Sequence, residues 1–224
     1  PGLDQLLAQP ILAWLIITVF SVGFINAFNM ADGANGLVPG ICVAAFTIFF
    51  LEYGRPTEGL FLFACVMFLV FNLISGWFFL GDMGSYGIGA IIVCYGLNGV
   101  ANGDFSALFM ASLVAYPCID FLVSIVRRLR LGRSPFSADN DHLHNRLHKL
   151  IKGSVRSKVL ANSLTGLSIS ASTAGLTLWA YMFEWWAVES NQWLMLFSLE
   201  CCLYWLTYSL TEQTKGITQH AEPL

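Results

Sequence analysis

The sequence predicts an all-α fold: a polytopic integral membrane protein with about seven transmembrane helices. Of its 224 residues, 56% are hydrophobic and only 11% are charged, and the mean hydropathy is +0.66. A helix needs about 20 mostly apolar residues to cross a hydrocarbon core of ~30 Å. The runs that reach or approach this length are Ile11–Ala31, Leu37–Tyr53, Leu60–Trp77, Tyr86–Ala101, Phe105–Val126, Val159–Phe183 and Trp193–Leu210.

The cysteines argue against a secreted disulfide scaffold and against a zinc site. All six lie inside apolar runs, and none has a partner at CxxC spacing. Cysteine in such a setting packs as a small apolar residue. We therefore expect no structural metal and no disulfide framework.

Basic residues are concentrated in one connection, and this concentration predicts which side each connection faces. Nine of the eleven lysines and arginines lie in residues 127–158, so the positive-inside rule places this loop in the cytoplasm. Counting spans away from the loop assigns the N-terminus and the following connections to the outside: 54–59, 102–104 and 184–192. The same count places three segments inside with the basic loop: 32–36, 78–85 and 211–224. The last of these is a polar tail that we expect to be disordered.

The first polar cluster on the predicted inner side ends the first apolar run. Asn26, Asn29 and Asp32 recur every three residues, so they share one face of a helix. Gly33 and Gly36 follow and open the helix. A polar seam that joins two helices through amide hydrogen bonds would also explain the asparagines. Such a seam needs neither the glycines nor the carboxylate, so we favour a binding cluster.

The second cluster is the stretch 78–87, which breaks the apolar pattern with Asp82, Ser85 and several glycines. A charged group in a membrane-embedded position costs roughly 2.5–3.5 kcal/mol on insertion scales, which makes it a functional-site hypothesis. A hard oxygen ligand beside a backbone that can approach an anion suggests a magnesium–phosphate site. A plain polar turn between helices is the alternative. Asn72, ten residues before Asp82, is expected about three turns deep if the helix stays regular.

The third cluster is the loop 133–148. His142, His144 and Arg146 offer hydrogen-bond donors for phosphate oxygens. Zinc fits poorly, because Asn145 stands where a metalloprotease motif needs glutamate. A solvated basic loop would explain the arginines but not the two histidines. We therefore expect this loop to contact a phosphate group, with a short amphipathic helix on the membrane surface after it.

Taken together, the motifs resemble those of the polyprenyl-phosphate N-acetylhexosamine-1-phosphate transferases, within glycosyltransferase family 4, which begin bacterial glycan synthesis. The resemblance covers roughly residues 10–150 and keeps the family's motif order and spacing. The motifs on which the resemblance rests are Asn26-x-x-Asn29-x-x-Asp32-Gly33-x-x-Gly36-Leu37, Asn72 with Phe79-Leu80-Gly81-Asp82-x-Gly84-Ser85, Asp139-x-x-His142-x-His144, and Pro117-x-x-Asp120 before Arg127-Arg128.

The resemblance implies a role for each matching residue. Asp82 would be the Mg²⁺ ligand, with Mn²⁺ as an alternative metal, and Asp32 would position or deprotonate a lipid phosphate. His142 and His144 would complete the catalytic set by steadying the diphosphate. The implied substrate-binding residues are Asn26, Asn29, Asn35, Asn72 and Arg146.

The implied reaction transfers a sugar-1-phosphate, with GlcNAc favoured, from a UDP-sugar to undecaprenyl phosphate and releases UMP. It would take place at the cytoplasmic face of the bacterial inner membrane, as the first membrane step of O-antigen or cell-wall polysaccharide synthesis. Expected partners are undecaprenyl phosphate, the UDP-N-acetylhexosamine and the lipid bilayer. A homodimer is left open, and no nucleic acid is expected.

The sequence departs from the family pattern in three places. Asn35 stands where many members carry a second aspartate, and Asn145 stands where the commonest form has a third histidine. An aspartate-rich motif on an earlier cytoplasmic loop is also absent, together with the helices before it. We therefore expect this chain to represent the C-terminal portion of the family fold.

Two other functions fit parts of the sequence. In an ion-coupled transporter, the intramembrane acids could form a path for ions or protons. Such a path is expected near the middle of the bilayer, on broken helices. Asp32 and Asp82 are instead predicted at the inner mouth beside histidines, which favours an enzyme. A truncated, non-catalytic remnant is the other alternative. Glu200, in the middle of the last apolar run, is assigned no role.

Overall fold

The computed structural model describes residues 9–135, 137 and 139–219, and this part of the chain is helical without strands. The helices are α1 (Pro10–Ala31), α2 (Leu37–Tyr53), α3 (Pro56–Ser75), α4 (Gly81–Asn102), α5 (Ala107–Leu113), α6 (Ala115–Arg130), α7 (Leu143–Ser154), α8 (Lys158–Ser170), α9 (Leu176–Met182) and α10 (Trp193–Gln219). A π-helical turn, Ala171–Gly175, joins α8 to α9 without a break.

The helical, membrane-type character predicted from the composition is confirmed, whereas the count of about seven spans is not. In the described part of the chain, four helices are long and apolar enough to cross a membrane: α1, α3, α4 and the part of α10 up to Glu212. Taking α5 and α6 as one bent span gives a fifth. The remaining predicted spans fall on α2, which has only 17 residues, and on the helix interrupted by the π turn.

Helix α2 forms the centre of the protein. Val38, Ala44 and Phe46 lie on different sides of it and are all buried. A helix that is apolar on every side is stable only when it is surrounded. α2 packs against α3 on one side and α8 on another.

The predicted span Phe105–Val126 is instead two helices that meet at 82°. Pro117, in the first turn of α6, has no N–H to donate to the carbonyl of Leu113 four residues earlier. The first helix therefore ends at Leu113, and α6 begins at Ala115 in a new direction. This bend places α6 against α1 and α10.

Hydrogen bonds near the C-terminal end of α2 show which connections lie at that end of the protein. At its C-terminal end, Tyr53 donates to Asp104 Oδ2 at 3.0 Å and Tyr181 donates to Glu52 Oε1 at 2.7 Å. Ser106 N donates to the carbonyl of Val188 at 2.9 Å. The connections after α2, α4 and α9 therefore gather at this end, as the charge pattern predicts.

The opposite end holds the connections 32–36 and 76–80, and Asn72 joins them. Asn72 Oδ1 accepts from Gly36 N at 2.6 Å, and Asn72 Nδ2 donates to the carbonyl of Phe78 at 2.5 Å. The predicted depth of Asn72 is wrong, because α3 ends at Ser75 and Gly76 reverses the chain with a φ of +63°. Asn72 lies in the last turn of α3 and fastens two loops together.

The predicted disorder of the tail 211–224 is also wrong for its first part. Helix α10 continues to Gln219, and residues 220–224 lie outside the described residues. Extending an existing helix is far easier than starting one, so polar residues after an apolar helix readily continue it.

Candidate active site

Helices α1 and α4 meet through the first two polar clusters. Asn29 Nδ2 donates to Asp82 Oδ1 at 3.1 Å and to Ser85 Oγ at 2.8 Å. The Gly81 N–H donates to the Asp32 carboxylate. Two carboxylates that are 50 residues apart in the chain therefore lie side by side, with Asp82 exposed and Asp32 half-buried.

The surroundings of Asp32 favour its protonated form. Burial raises the pKa of the Asp32 carboxyl to about 6. The Gly81 N–H opposes this shift, and the negative charge of Asp82 adds to it. A carboxylate with such a pKa can accept or release a proton near neutral pH.

The third cluster docks on the first through His144. The imidazole of His144 lies against Gly33 so closely that a Cβ atom there would be 2.2 Å from His144 Nε2. His142 and His144 stack with a centroid distance of 5.4 Å and an interplanar angle of 3°. All three predicted clusters therefore meet at one end of the helices.

The segment 139–148, which carries His142 and His144, is called the histidine loop. Asp120 holds this loop in place. Its Oδ2 atom lies 2.6 Å from His142 Nδ1, and its Oδ1 atom accepts from Leu143 N at 3.0 Å. Tyr204, on α10, donates to the same Oδ1 at 2.9 Å. Asp120 is only 2% exposed, so these donors replace the water that a charged carboxylate would otherwise need.

Tyr116 holds His144 from the other side. Its hydroxyl lies 2.9 Å from His144 Nδ1 and accepts from the His144 backbone N–H at 3.2 Å. Burial lowers the pKa of the His144 imidazole to about 4. The negative charge of Asp120 opposes this shift, and nearby histidines add to it. His144 is therefore neutral at physiological pH.

The structure brings Asn29, Asp32, Asp82, His142 and His144 together, and it places the other predicted site residues elsewhere. Asn35 is buried and donates to Ser163 Oγ at 3.4 Å. Asn26 donates to the carbonyl of Val22 in its own helix at 2.7 Å, and Asn72 fastens the loops described above. Substrate binding by these three asparagines stays a prediction.

Arg146 lies at the contact between the histidine loop and α10. Its Nε donates to Asp141 Oδ1 at 2.9 Å, and its Nη2 donates to Tyr208 Oη at 2.8 Å. The guanidinium carbon lies 3.8 Å from the centroid of the Tyr208 ring, in a cation–π contact. Arg146 thus anchors the loop, and a direct role in substrate binding also stays a prediction.

The sequence interpretation assigned no role to Tyr116, Tyr204 and Tyr208. The sequence did contain a signal for Tyr116. Tyr116, Asp120 and Ser124 recur every four residues on α6, and they therefore share one face of that helix. Tyr204 and Tyr208 have the same spacing on α10. Nothing in the sequence indicated that these two faces would meet, since they are more than 80 residues apart.

The carboxylates fit a metal that binds together with a substrate. No group of three or more His, Cys, Asp or Glu that could hold a metal ion occurs in the described part of the chain. Mg²⁺, however, is usually bound by one or two carboxylates together with water and substrate phosphates. Asp82 provides such a carboxylate at an open position, and Asn29 orients one of its oxygens.

Comparison with known proteins shows which proteins this chain is similar to. Residues 2–100 match the family model described as glycosyl transferase family 4. The decaprenyl-phosphate N-acetylglucosaminephosphotransferase of Mycobacterium leprae (strain TN) is 32% identical over 161 residues, which are 59% of this chain and 40% of that protein. No solved structure is similar enough to this chain to count as a match.

Two further relatives match more of the chain, and both are named undecaprenyl-phosphate alpha-N-acetylglucosaminyl 1-phosphate transferase. The protein of Thermotoga maritima is 27% identical over 204 residues, covering 90% of this chain and 61% of its own length. The protein of Escherichia coli O157:H7 is 30% identical over 203 residues, covering 84% and 53%. The chain thus spans about half the length of the curated relatives it matches.

Proposed function

We infer that the chain is a member of glycosyl transferase family 4, and we propose that it transfers a sugar-1-phosphate from a UDP-sugar to undecaprenyl phosphate, releasing UMP. GlcNAc-1-phosphate is the favoured group, because the relatives are named for N-acetylglucosamine. The reaction would be the first membrane step of O-antigen or cell-wall polysaccharide synthesis.

One observation carries this proposal: the carboxylate cluster and the histidine cluster lie together at the same end of the helices. Asn29 joins α1 to Asp82 at 3.1 Å, and His144 lies against Gly33, next to Asp32. Carboxylates alone would bind a cation, and histidines alone would bind an anion. Their combination suits a metal-bound diphosphate, which presents both charges.

The proposed chemistry follows from the charges of the substrates. An oxygen of the lipid phosphate attacks the β-phosphorus of the UDP-sugar, and the bond between that phosphorus and the UMP oxygen breaks. Two anions must approach each other, so catalysis depends mainly on positioning and on neutralising charge. Mg²⁺, or Mn²⁺ in its place, would supply part of that neutralisation when bound.

Each protein group has a proposed task in this step. Asp82, oriented by Asn29, would hold the metal. Asp32 would orient the lipid phosphate and accept its remaining proton when it carries one, in keeping with the raised pKa of its carboxyl. His142 and His144 would steady the diphosphate, with His144 donating a hydrogen bond where charge develops on the departing UMP.

The proposed location is a bacterial inner membrane, with the site facing the cytoplasm. Basic residues 127–158 flank the histidine loop, which supports this orientation through the positive-inside rule. In the seven-span arrangement, α2 and the continuous helix 158–182 would also cross the membrane. A homodimer remains part of the proposal.

No observation favours the transporter alternative. Asp32 and Asp82 lie at helix ends, and Asp120 is occupied by the histidine loop. Glu200, on α10, is fully buried and accepts from Thr177 Oγ1 at 3.1 Å.

The test is a transfer assay with the protein in nanodiscs that contain undecaprenyl phosphate and radiolabelled UDP-GlcNAc. We expect a lipid-linked radioactive product and one UMP for each, both dependent on added Mg²⁺ and lost in Asp82→Asn. Asp104→Asn is the matched control at the opposite end of the protein and should retain activity. Folded protein that forms no lipid product with any UDP-N-acetylhexosamine would contradict the proposal.

A further inference from the structure

We propose that Asp120 and Tyr116 are positioning residues that hold the two stacked histidines in opposite tautomers. His142 would carry its proton on Nδ1, and His144 would carry its proton on Nε2. The catalytic use of this arrangement rests on the proposed function, whereas the tautomers themselves do not.

The assignment for His142 follows from what Asp120 can accept. An ionised carboxylate has only acceptor sites, so the 2.6 Å contact between Asp120 Oδ2 and His142 Nδ1 requires a proton on Nδ1. The other oxygen receives the Leu143 N–H and the Tyr204 hydroxyl. Several donors on one carboxylate favour its ionised form. The Ser124 hydroxyl is a weaker neighbour of the same nitrogen, at 3.3 Å.

The assignment for His144 follows from the single proton of the Tyr116 hydroxyl. The His144 backbone N–H donates to the phenolic oxygen at 3.2 Å, which uses that oxygen as an acceptor. Among the described residues, the acceptor within reach of the phenolic proton is His144 Nδ1, at 2.9 Å. Tyr116 is only 1% exposed, and a buried hydroxyl without an acceptor is costly.

With Nδ1 acting as the acceptor, the proton of neutral His144 must lie on Nε2. This is the nitrogen that faces Gly33 and the loop after α1. The pKa of the imidazole, lowered to about 4 by burial, is consistent with a single ring proton at neutral pH. His144 therefore presents a fixed N–H donor towards the carboxylate loop.

His142 has the complementary property. Its Nδ1 proton is held by Asp120, so neutral His142 presents an unprotonated Nε2. The two parallel rings, 5.4 Å apart, thus combine one N–H donor with one acceptor nitrogen. In the proposed reaction, the Nε2–H of His144 would donate to the diphosphate, and Nε2 of His142 would accept a hydrogen bond beside it.

Nitrogen NMR of the intact protein tests the tautomers without an activity assay. The chain has four histidines, and labelling them with ¹⁵N in lipid nanodiscs at about pH 8 separates protonated from unprotonated ring nitrogens. His142→Gln and His144→Gln assign the two signals by their loss. We expect a protonated Nδ1 in His142 and a protonated Nε2 with bare Nδ1 in His144. The reverse pattern in either residue would overturn the proposal.

Substitution of the positioning residues gives the second test. Asp120→Asn keeps the shape, but its carbonyl oxygen must face the Leu143 N–H, so its amide N–H₂ faces His142. We therefore expect the His142 proton to move from Nδ1 to Nε2, while His144 is unchanged. Tyr116→Phe should remove the fixed tautomer of His144 only, and Ser124→Ala, the control, should leave both tautomers unchanged. A His142 that keeps its Nδ1 proton in Asp120→Asn would overturn the proposal.

Kinetics then separate positioning from simple structural support. With folding confirmed by gel filtration, Asp120→Asn should lower kcat by about 10- to 100-fold, as loss of an orienting partner typically does, with little change in KM for UDP-GlcNAc. A rise in KM alone would count against positioning. If the wild type shows no transfer, the proposed function fails, while the NMR patterns still decide the tautomers.

Discussion

His144 and Gly33 are in direct contact: a Cβ atom built on Gly33 would lie 2.2 Å from His144 Nε2 and 2.8 Å from Cδ2. The glycine is required here by the approach of a neighbouring ring and not by a turn, since the φ of Gly33 is not among the positive values. This contact joins a loop at residue 33 to a loop at residue 144. It is therefore a sensitive point at which to test whether the two loops form one site.

We expect Gly33→Ala to displace the His144 ring and to lower the transfer rate by about 100-fold, the loss that a misplacement of ~1 Å can cause. The transfer assay measures this effect. Gly87→Ala is the matched control, because Gly87 lies in α4 with nothing within 4 Å of a Cβ atom. That change should leave the rate intact and stabilise the helix by roughly 0.5–1 kcal/mol. Full activity in Gly33→Ala would contradict the docking of the loops.

Acid should destabilise the protein through His144. The pKa of this imidazole is lowered from 6.5 in the unfolded chain to about 4 in the folded protein, so the unfolded state binds the proton more tightly. The stabilisation is thus complete above about pH 6.5 and is lost as the pH falls towards 4, by up to about 3 kcal/mol. Thermal unfolding from pH 4 to pH 8 should show this slope in the wild type. His144→Gln should have a shallower slope, and an identical slope would refute the prediction.

Asn29 should control metal binding through Asp82. We expect Asn29→Ala to raise the Mg²⁺ concentration for half-maximal activity by about 10- to 100-fold, because the amide that orients the Asp82 carboxylate is lost. A titration of transfer rate against Mg²⁺ measures this change. Asn26→Ala removes an amide from the same face of α1 that donates to the Val22 carbonyl of its own helix, so its Mg²⁺ requirement should be unchanged. Equal effects of both variants would argue against the Asn29–Asp82 contact.

Asn72 should act on stability more than on substrate affinity. Its side chain bonds the Gly36 N–H and the Phe78 carbonyl, and it is only 2% exposed. Asn72→Ala leaves the buried Gly36 N–H without its partner, at a cost of about 1–3 kcal/mol, and it also removes the bond to the Phe78 carbonyl. Denaturation midpoints should therefore fall markedly, whereas Asn102→Ala, on the surface of α4, should change them little. An unchanged midpoint with a raised KM for UDP-GlcNAc would instead support the pocket role predicted from the sequence.

Much of this arrangement could be predicted from the sequence because it follows from local patterns. The predicted run Leu37–Tyr53 coincides with α2, and Ile11–Ala31 differs from α1 by one residue. The charge of residues 127–158 predicted which connections share an end, and the structure brings those connections together. Hydropathy and charge are properties of neighbouring residues, so these features needed no knowledge of distant contacts.

The parts that the sequence did not predict depend on distant partners. Apolar residues continue through Val114, so hydropathy gave no sign of the 82° bend there. Two of the tyrosines that support the histidine loop, Tyr204 and Tyr208, come from α10, whose sequence carries no motif. Tyr204 reaches Asp120 only because α6 turns back towards α10, and a contact of this kind follows from packing.

Paramagnetic NMR with Mn²⁺ tests the central claim, a shared site for the carboxylates and the histidines, most directly. With UDP-GlcNAc present, Mn²⁺ bound at Asp82 should broaden the ¹⁵N-histidine signals of His142 and His144 in the wild type and leave them sharp in Asp82→Asn. Signals that stay sharp in the wild type, or that broaden equally in Asp82→Asn, would show that the metal site and the histidine loop are separate.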